Sequence, residues 1–414
     1  MLERSYSSLS LYKDLSTAVD MTDSYLLVIF DICQVNYPLS SAKSTSIPIF
    51  VQTVPVLFKD LITAYPSIFY GLITIIAWLM VRFSIPSIIF TSRKYNLYDR
   101  SDLHRKNHDL SISRLGGLAI VASFTVSILL FSAMINFKEA NFLTVSCIIL
   151  SALGLKDDVY GTNTSTKFIL QLIVAGILVF FGGFRLSSLY GVLNIGDMNL
   201  LWGGVFSIVL IIFLNNAFNL IDGIDGLAGT IGILASVCFG VAFAMANQIP
   251  YAFIAFALAG AIAGFLKYNW YPAKIFMGDT GALIIGLSTA ALAIKFIEIN
   301  KFTGNNQPTF YSAPAIAVSI LIVPIFDSLR VFTVRILKRK SPFTGDRDHI
   351  HHRLERLGLK PNQIVWITLL LNIFIISLTI LLQHLGNFIL IVLLISICTL
   401  YNSVITWRLN KIKG

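Results

Sequence analysis

The sequence predicts an all-α, polytopic integral membrane protein of about eleven transmembrane helices, each of about 20 apolar residues. Three observations predict it. Of the 414 residues, 56% are hydrophobic and 13% charged, against roughly 25% charged in soluble domains. The mean hydropathy is +0.78, and the apolar residues are gathered into long blocks separated by polar loops. The short alternating segments of a membrane β-barrel, about 10 residues each, are absent from the sequence.

Residues 1–66 form an N-terminal extension with no evident role, mixing Ser, Thr, Tyr and Asp with Lys. The apolar patch at 25–33 is too short to span a bilayer. It also lacks the basic leader and small-residue cleavage site of a signal peptide. The multi-span region covers 67–407, with expected spans at 67–90, 115–137, 142–155, 168–184, 201–218, 227–246, 251–266, 282–297, 313–332, 364–382 and 387–407. The third is short, and the first carries Arg82 and Pro86. A basic tail, 408–414, closes the chain.

Charge sets the orientation. The loop 93–114 holds Arg93, Lys94, Arg100, Arg105, Lys106 and Arg114. The loop 335–360 holds Arg335, Lys338, Arg339, Lys340, Arg347, Arg353, Arg356 and Lys360, and the tail adds Arg408, Lys411 and Lys413. The opposite loops carry little beyond Lys138, Arg185 and Lys301. Cytoplasmic loops retain Lys and Arg, so this bias predicts basic loops inside the cell and the N-terminus outside. The net charge of +10 is accounted for in the same way, with no nucleic-acid partner expected. Cys33, Cys147, Cys238 and Cys398 are scattered, without metal-ligand spacing, and read as packing residues.

Threaded through eleven spans, the chemically capable residues all fall at cytoplasmic ends. The stretch NNAFNLIDGIDGLAGT (215–230) places Asn216, Asn219, Asp222 and Asp225 at three-residue steps, on one face of a helix. Polar groups are costly in hydrocarbon, so such a face belongs to a wet cavity or a membrane surface. Its bland alternative is helix capping. Asp157 and Asp158, in GLKDDVYG, can bind a metal, act as a base or solvate a loop end. Asp279, in KIFMGDTGALIIG, can cap a helix as well as bind a cation. Phe276 is either a core residue or a platform for a base. His349, His351 and His352 lie between Arg347 and Arg353, which suits an anion more than zinc. Lys106, His108 and Lys167 can meet phosphate or serve as interfacial cations. Carboxylates and amides with few nitrogen ligands favour magnesium or manganese, bridged to substrate phosphates. Carboxylates beside cations at a membrane surface predict phosphoryl transfer.

With those residues in place, the chain resembles the polyprenyl-phosphate N-acetylhexosamine-1-phosphate transferases. HRKNHDLSISRLGG, GLKDDVYG, NNAFNLIDGIDGLAG, NWYPAKIFMGDTG and DRDHIHHRL carry the resemblance, in family order. It implies transfer of a sugar-1-phosphate from a UDP-N-acetylhexosamine to a polyprenyl phosphate lipid, with release of UMP and a requirement for Mg2+, with Mn2+ as its substitute. It further implies that Asp279 and Asn219 hold the metal. Asp157, supported by Asp158, would deprotonate or position the lipid phosphate. Asp222, Asp225, Asn216 and Asn269 would line the nucleotide-sugar pocket, and Phe276 would stack on uracil. Lys106, Lys167, Arg347, His349, His351 and His352 would meet the pyrophosphate and sugar. The HIHH order resembles the WecA-like branch and favours UDP-N-acetylglucosamine over a muramoyl-pentapeptide donor. The family reaction opens cell-envelope polysaccharide synthesis, such as O-antigen or teichoic acid, and the resemblance is compatible with a homodimer. An ion-coupled transporter is the rival of another class, but its acids should lie near the bilayer midplane.

Overall fold

A computed structural model of the chain describes residues 58–95, 97, 112–135, 137–192, 195–301, 308–339 and 348–413. The chain divides into two units, Met1–Val54 and Pro55–Gly414. The first unit and the expected contacts Lys106 and Arg347 lie outside the described residues.

The described residues of the second unit are helical apart from turns and one isolated bridge, Ser188 with Asp197. In chain order the helices are α1 (Pro66–Lys94), α2 (Gly116–Ile135), α3 (Lys138–Tyr160), α4 (Thr164–Gly176, continued by the π-turn Ile177–Phe181), α5 (Leu200–Ile221), α6 (Leu227–Met245) and α7 (Ile249–Asn269). They continue with α8 (Gly278–Ile299), α9 (Ala313–Ile320), α10 (Ile322–Leu337), α11 (Ile350–Arg356), α12 (Pro361–Leu381) and α13 (Asn387–Lys413).

Among the described residues, nine helices are long and apolar enough to cross a membrane, and α9 with α10, bent by 79°, makes a tenth span if counted as one. The remaining expected span, 142–155, lies inside α3. That helix has 23 residues, enough for about 30 Å of hydrocarbon at 1.5 Å per residue. It is not among the nine; Lys138 and Glu139 open it, and Lys156, Asp157 and Asp158 fall near its end. Pro86 is accommodated within α1, and α13 runs on through Arg408 and Lys411.

Burial orders the bundle. In α8, 83% of the most apolar stretch is buried, against 22% in α1 and in α13. The sequence explains the difference. Helix α8 is lined all round by Gly281, Ala282, Gly286, Ser288, Ala290, Ala291 and Ala293, small residues that let neighbouring backbones approach closely. It packs against α2, α3, α5 and α6. Helices α1 and α13 keep Ile68, Phe83, Phe90, Leu400 and Trp407 exposed, as a lipid-facing surface requires. The central helix therefore brings its N-terminus, Gly278–Asp279, against the ends of α3 and α5.

Candidate active site

The site is assembled from helix ends. Asp157 and Asp158 close α3, Lys167 lies in the first turn of α4, and Asn216 and Asn219 occupy the last turns of α5. Asp222 caps α5, and Asp279 stands in the first turn of α8. Helix ends leave backbone groups without partners, so the chain is locally polar there even where the helices themselves are apolar.

Lys167 joins two of the expected carboxylates. Its Nζ lies 2.6 Å from Asp157 Oδ2 and 2.7 Å from Asp279 Oδ2. The Asn219 amide donates to the same Asp279 oxygen at 3.1 Å. Burial raises the Asp157 carboxyl, but the Lys167 ammonium outweighs it and holds Asp157 below its ordinary value. The site thus keeps an ionised carboxylate beside a partly buried cation.

Asp158 does something else. Its Oδ1 accepts from the Asp279 N–H at 2.7 Å, and its Oδ2 accepts from the Thr280 N–H at 3.1 Å and hydroxyl at 2.6 Å. It is an N-cap supplied from another helix, which satisfies donors that α8 would otherwise leave unpaired. Burial pushes the Asp158 carboxyl up to about 6, against those three donors and with the Asp279 charge adding to the rise. Asp158 therefore fixes the turn that bears Asp279, whereas Asp157 faces Lys167.

Backbone pairing locks the same turn. Phe276 N–H donates to Ser113 O at 2.8 Å, while Gly116 and Gly117 N–H donate to Phe276 O at 3.1 Å and Met277 O at 2.9 Å. Gly278 has φ +69°, and a Cβ there would sit 2.6 Å from both Asp158 oxygens and collide with Arg114 O. Only glycine fits. The motif SRLGG thus acts as a backrest for the turn bearing Asp279 and the half-buried Phe276.

The turn between α5 and α6 is held from the other side. Buried Asn269 accepts from Gly226 N–H at 3.0 Å and donates to Ile275 O at 3.0 Å, and Asp225 accepts from Ala273 N–H at 2.9 Å. With its amide engaged at both ends, Asn269 pins two loops together beside the residues expected to line the nucleotide-sugar pocket. Asn216 donates to Gln171 Oε1 at 2.9 Å and to Ile212 O at 2.7 Å, which ties α5 to α4.

Asp222 is short of positive charge. Burial, then the charges of Asp279, Asp158 and Asp225, push its carboxyl well above the carboxylate range, with Arg114 opposing. A divalent cation among these groups would relieve that repulsion. Among the described residues no three His, Cys, Asp or Glu side chains group as a ready-made metal cage. Magnesium does not need one, since it keeps several waters and takes one or two protein ligands plus phosphate. Asp279 with Asn219 fits that description.

The histidine loop docks on this turn. A Cβ at Gly223 would collide with His351 Nε2, so the ring lies directly on the Asp222–Gly223 backbone. Burial holds the His351 ring down at about 3, with His349 and His352 adding to the fall and Asp327 opposing it. His349 Nδ1 lies 2.9 Å from Asp327 Oδ2, and His352 Nδ1 lies 2.9 Å from Glu355 Oε2.

The chain is similar in sequence to known proteins. The sequence profile described as glycosyl transferase family 4 matches residues 140–297, a segment that holds Asp157, Lys167, Asn219, Asp222 and Asp279. A probable undecaprenyl-phosphate N-acetylglucosaminyl 1-phosphate transferase of Bacillus subtilis (strain 168) is 32% identical over 277 residues, covering 67% of this chain and 74% of the relative. The chain belongs to glycosyl transferase family 4. Two further relatives are a decaprenyl-phosphate N-acetylglucosaminephosphotransferase of Mycolicibacterium smegmatis, 32% identical over 277 residues (61% of this chain, 68% of the relative), and an undecaprenyl-phosphate alpha-N-acetylglucosaminyl 1-phosphate transferase of Escherichia coli K12, 28% identical over 281 residues (66% and 72%).

For this family 4 transferase, motif reading missed Gln171, Thr280, Asp327 and Arg330. Asp327 and Arg330 carried a usable signal, since ionisable residues within an apolar span are rare and functional by default. Gln171 and Thr280 carried none.

Two outcomes test the geometry. Gly278→Ala should lower the thermal midpoint of the detergent-purified protein and the activity together, at a cost of about 1–3 kcal/mol for a residue forced into that conformation; unchanged melting would contradict it. His351 takes its proton near 6.5 in the unfolded chain and only near 3 in the folded one. The unfolded state therefore binds more protons between those values, and stability present above pH 6.5 falls as the pH drops towards 3. Melting temperature measured against pH should fall less steeply for His351→Asn than for the parent.

Proposed function

We propose that the protein transfers N-acetylglucosamine-1-phosphate from UDP-N-acetylglucosamine to undecaprenyl or another polyprenyl phosphate, with release of UMP. The observation that carries this reading is the Lys167 ammonium between Asp157 and Asp279, beside Asn219 and an electrostatically strained Asp222, at helix ends of an apolar bundle. The relatives' names supply the donor and acceptor chemistry. The N-acetylhexosamine branch follows them, and the cytoplasmic position of the site and the outward N-terminus follow the basic loops.

An oxygen of the lipid phosphate attacks the sugar-bearing phosphorus, the bond from that phosphorus to UMP breaks, and the electron pair leaves with UMP. Both substrates are anions, and bringing them together in a medium of low dielectric is costly. Lys167 offsets part of that charge. Asp157 positions the lipid phosphate and accepts its proton where it arrives protonated. Phe276, at the edge of the pinned 276–279 turn, offers its ring face to uracil, and Asp222 and Asp225 flank the nucleotide-sugar pocket. His351 lies on the Asp222–Gly223 turn, and with His349 and His352 it would meet the diphosphate from that side. Asp279 and Asn219 would hold magnesium or manganese, which when bound supplies charge stabilisation to the leaving group.

The deciding assay supplies purified protein with undecaprenyl phosphate, magnesium and single UDP-sugars, and follows UMP and the lipid product. Turnover with UDP-N-acetylglucosamine is expected. Turnover with only another acetamido sugar would move the donor, and silence with every donor would overturn the transferase reading. Asp279→Asn should lower turnover by about 10²–10³-fold, the scale of removing one stabiliser of developing charge. Asp157→Asn should lower kcat by about 10²-fold with little change in KM for the donor. A loss confined to KM would contradict the role given to Asp157.

A further inference from the structure

We propose that Asp327 is a positioning residue for the reaction, holding His349 by Nδ1 in one ring orientation and one tautomer so that Nε2 is the nitrogen presented to the donor's phosphates. The inference rests on the transferase reading and extends it to a residue outside every motif of the sequence.

Asp327 lies on α10, six residues past the break at Leu321 where the span bends by 79°. The bend brings an acid of a membrane-spanning pair to the histidine loop. Its two oxygens grip consecutive residues there. Oδ2 is 2.9 Å from His349 Nδ1, and Oδ1 accepts from the Ile350 N–H at 2.9 Å. Arg330 Nε is 3.8 Å from Oδ1, and Arg330 also reaches Asp348, the residue before His349. His351 Nδ1 stands 4.0 Å from Oδ2, its ring parallel to that of His349 within 9°. Asp327 is 3% exposed and His349 4%.

A carboxylate only accepts hydrogen bonds, so Nδ1 of His349 must carry the proton. Nε2 is then the nitrogen turned away from Asp327, and the Asp327 carboxylate balances the ring's charge where Nε2 donates to an anion. Rotating the ring would leave a buried carboxylate without its partner, which is expensive. The loop is also anchored from behind, because Arg353 donates to Asn402 and, at 2.6 Å, to Thr406 of α13. Asp327 therefore has a rigid object to orient.

Asp327→Asn keeps the shape and changes the message. Its single oxygen can serve either Ile350 N–H or His349 Nδ1–H, and the amide NH2 facing His349 would force the opposite tautomer. A double-mutant cycle separates orientation of His349 from general support of the fold. D327N alone should lower kcat by roughly 10- to 100-fold, the usual cost of removing the partner that orients a functional histidine. In the H349Q background the same change should cost less than about threefold, since the two residues act as a unit. Where H349Q is too slow to time, the affinity for UDP-N-acetylglucosamine gives the same cycle, and Asp327→Ser replaces D327N if the latter does not fold. Equal losses in both backgrounds, or a harmless D327N, would overturn the inference while an active parent protein leaves the transferase reading intact. A silent parent protein would remove both.

Discussion

The interaction on which the rest depends is the ammonium of Lys167 between the carboxylates of Asp157 and Asp279. Asp279 lies 112 residues beyond Lys167, and each of the three would be costly to place alone at the edge of a hydrocarbon layer. Together they leave a net negative charge beside further acids at 158, 222 and 225. Under the proposed function a bound cation would offset that charge and let an anionic substrate approach. Breaking such a pair strands the remaining charge, which is more damaging than never having built it.

Much of the bundle can be understood as support for that contact. The small residues of α8 let it sit at the centre, where its N-terminus meets α3 and α5. Asp158 completes the helix end, SRLGG backs the turn before it, and Asn269 ties that turn to the one after α5. The histidine loop is positioned by a different set of contacts. Asp327 holds its first residue, Gly223 admits the His351 ring, and Arg353 fastens it to α13. Two polar assemblies therefore meet at the Asp222–Gly223 turn, one built on α3, α4 and α8 and the other on α10, α11 and α13.

The sequence made the membrane class and the shared cytoplasmic end of Asp157, Asn219 and Asp279 legible, because charges amid long apolar blocks stand out; the pairing of Asn219 with Asp279 is implied by the resemblance alone, and the place of Lys167 between two carboxylates appears only in the structure. It made the helix ends approximate: α3 blurs where its apolar middle passes into KDD, so a span was expected at 142–155 inside a longer helix. It did not separate the tasks of neighbouring residues. Asp157 and Asp158 look alike in GLKDDVYG, yet one faces Lys167 and the other caps α8, a difference set by which side of α3 each occupies. Asn269 reads in the sequence as a polar pocket residue, and its bracing bonds to Gly226 and Ile275 are not legible there. Asp327 stands outside every motif, and its partner lies 22 residues away in sequence.

Manganese binding, followed by EPR on detergent-purified protein with UDP present, tests most directly whether the cluster around Lys167 is a cation-bridged phosphate site. Manganese takes the same oxygen donors as magnesium. The account predicts about one bound ion per chain, lost in Asp279→Asn and retained in Asp158→Asn only to the extent that α8 keeps its first turn. A parent protein that binds no manganese in the presence of UDP, or an Asp279→Asn variant that binds it as well as the parent, would contradict the account.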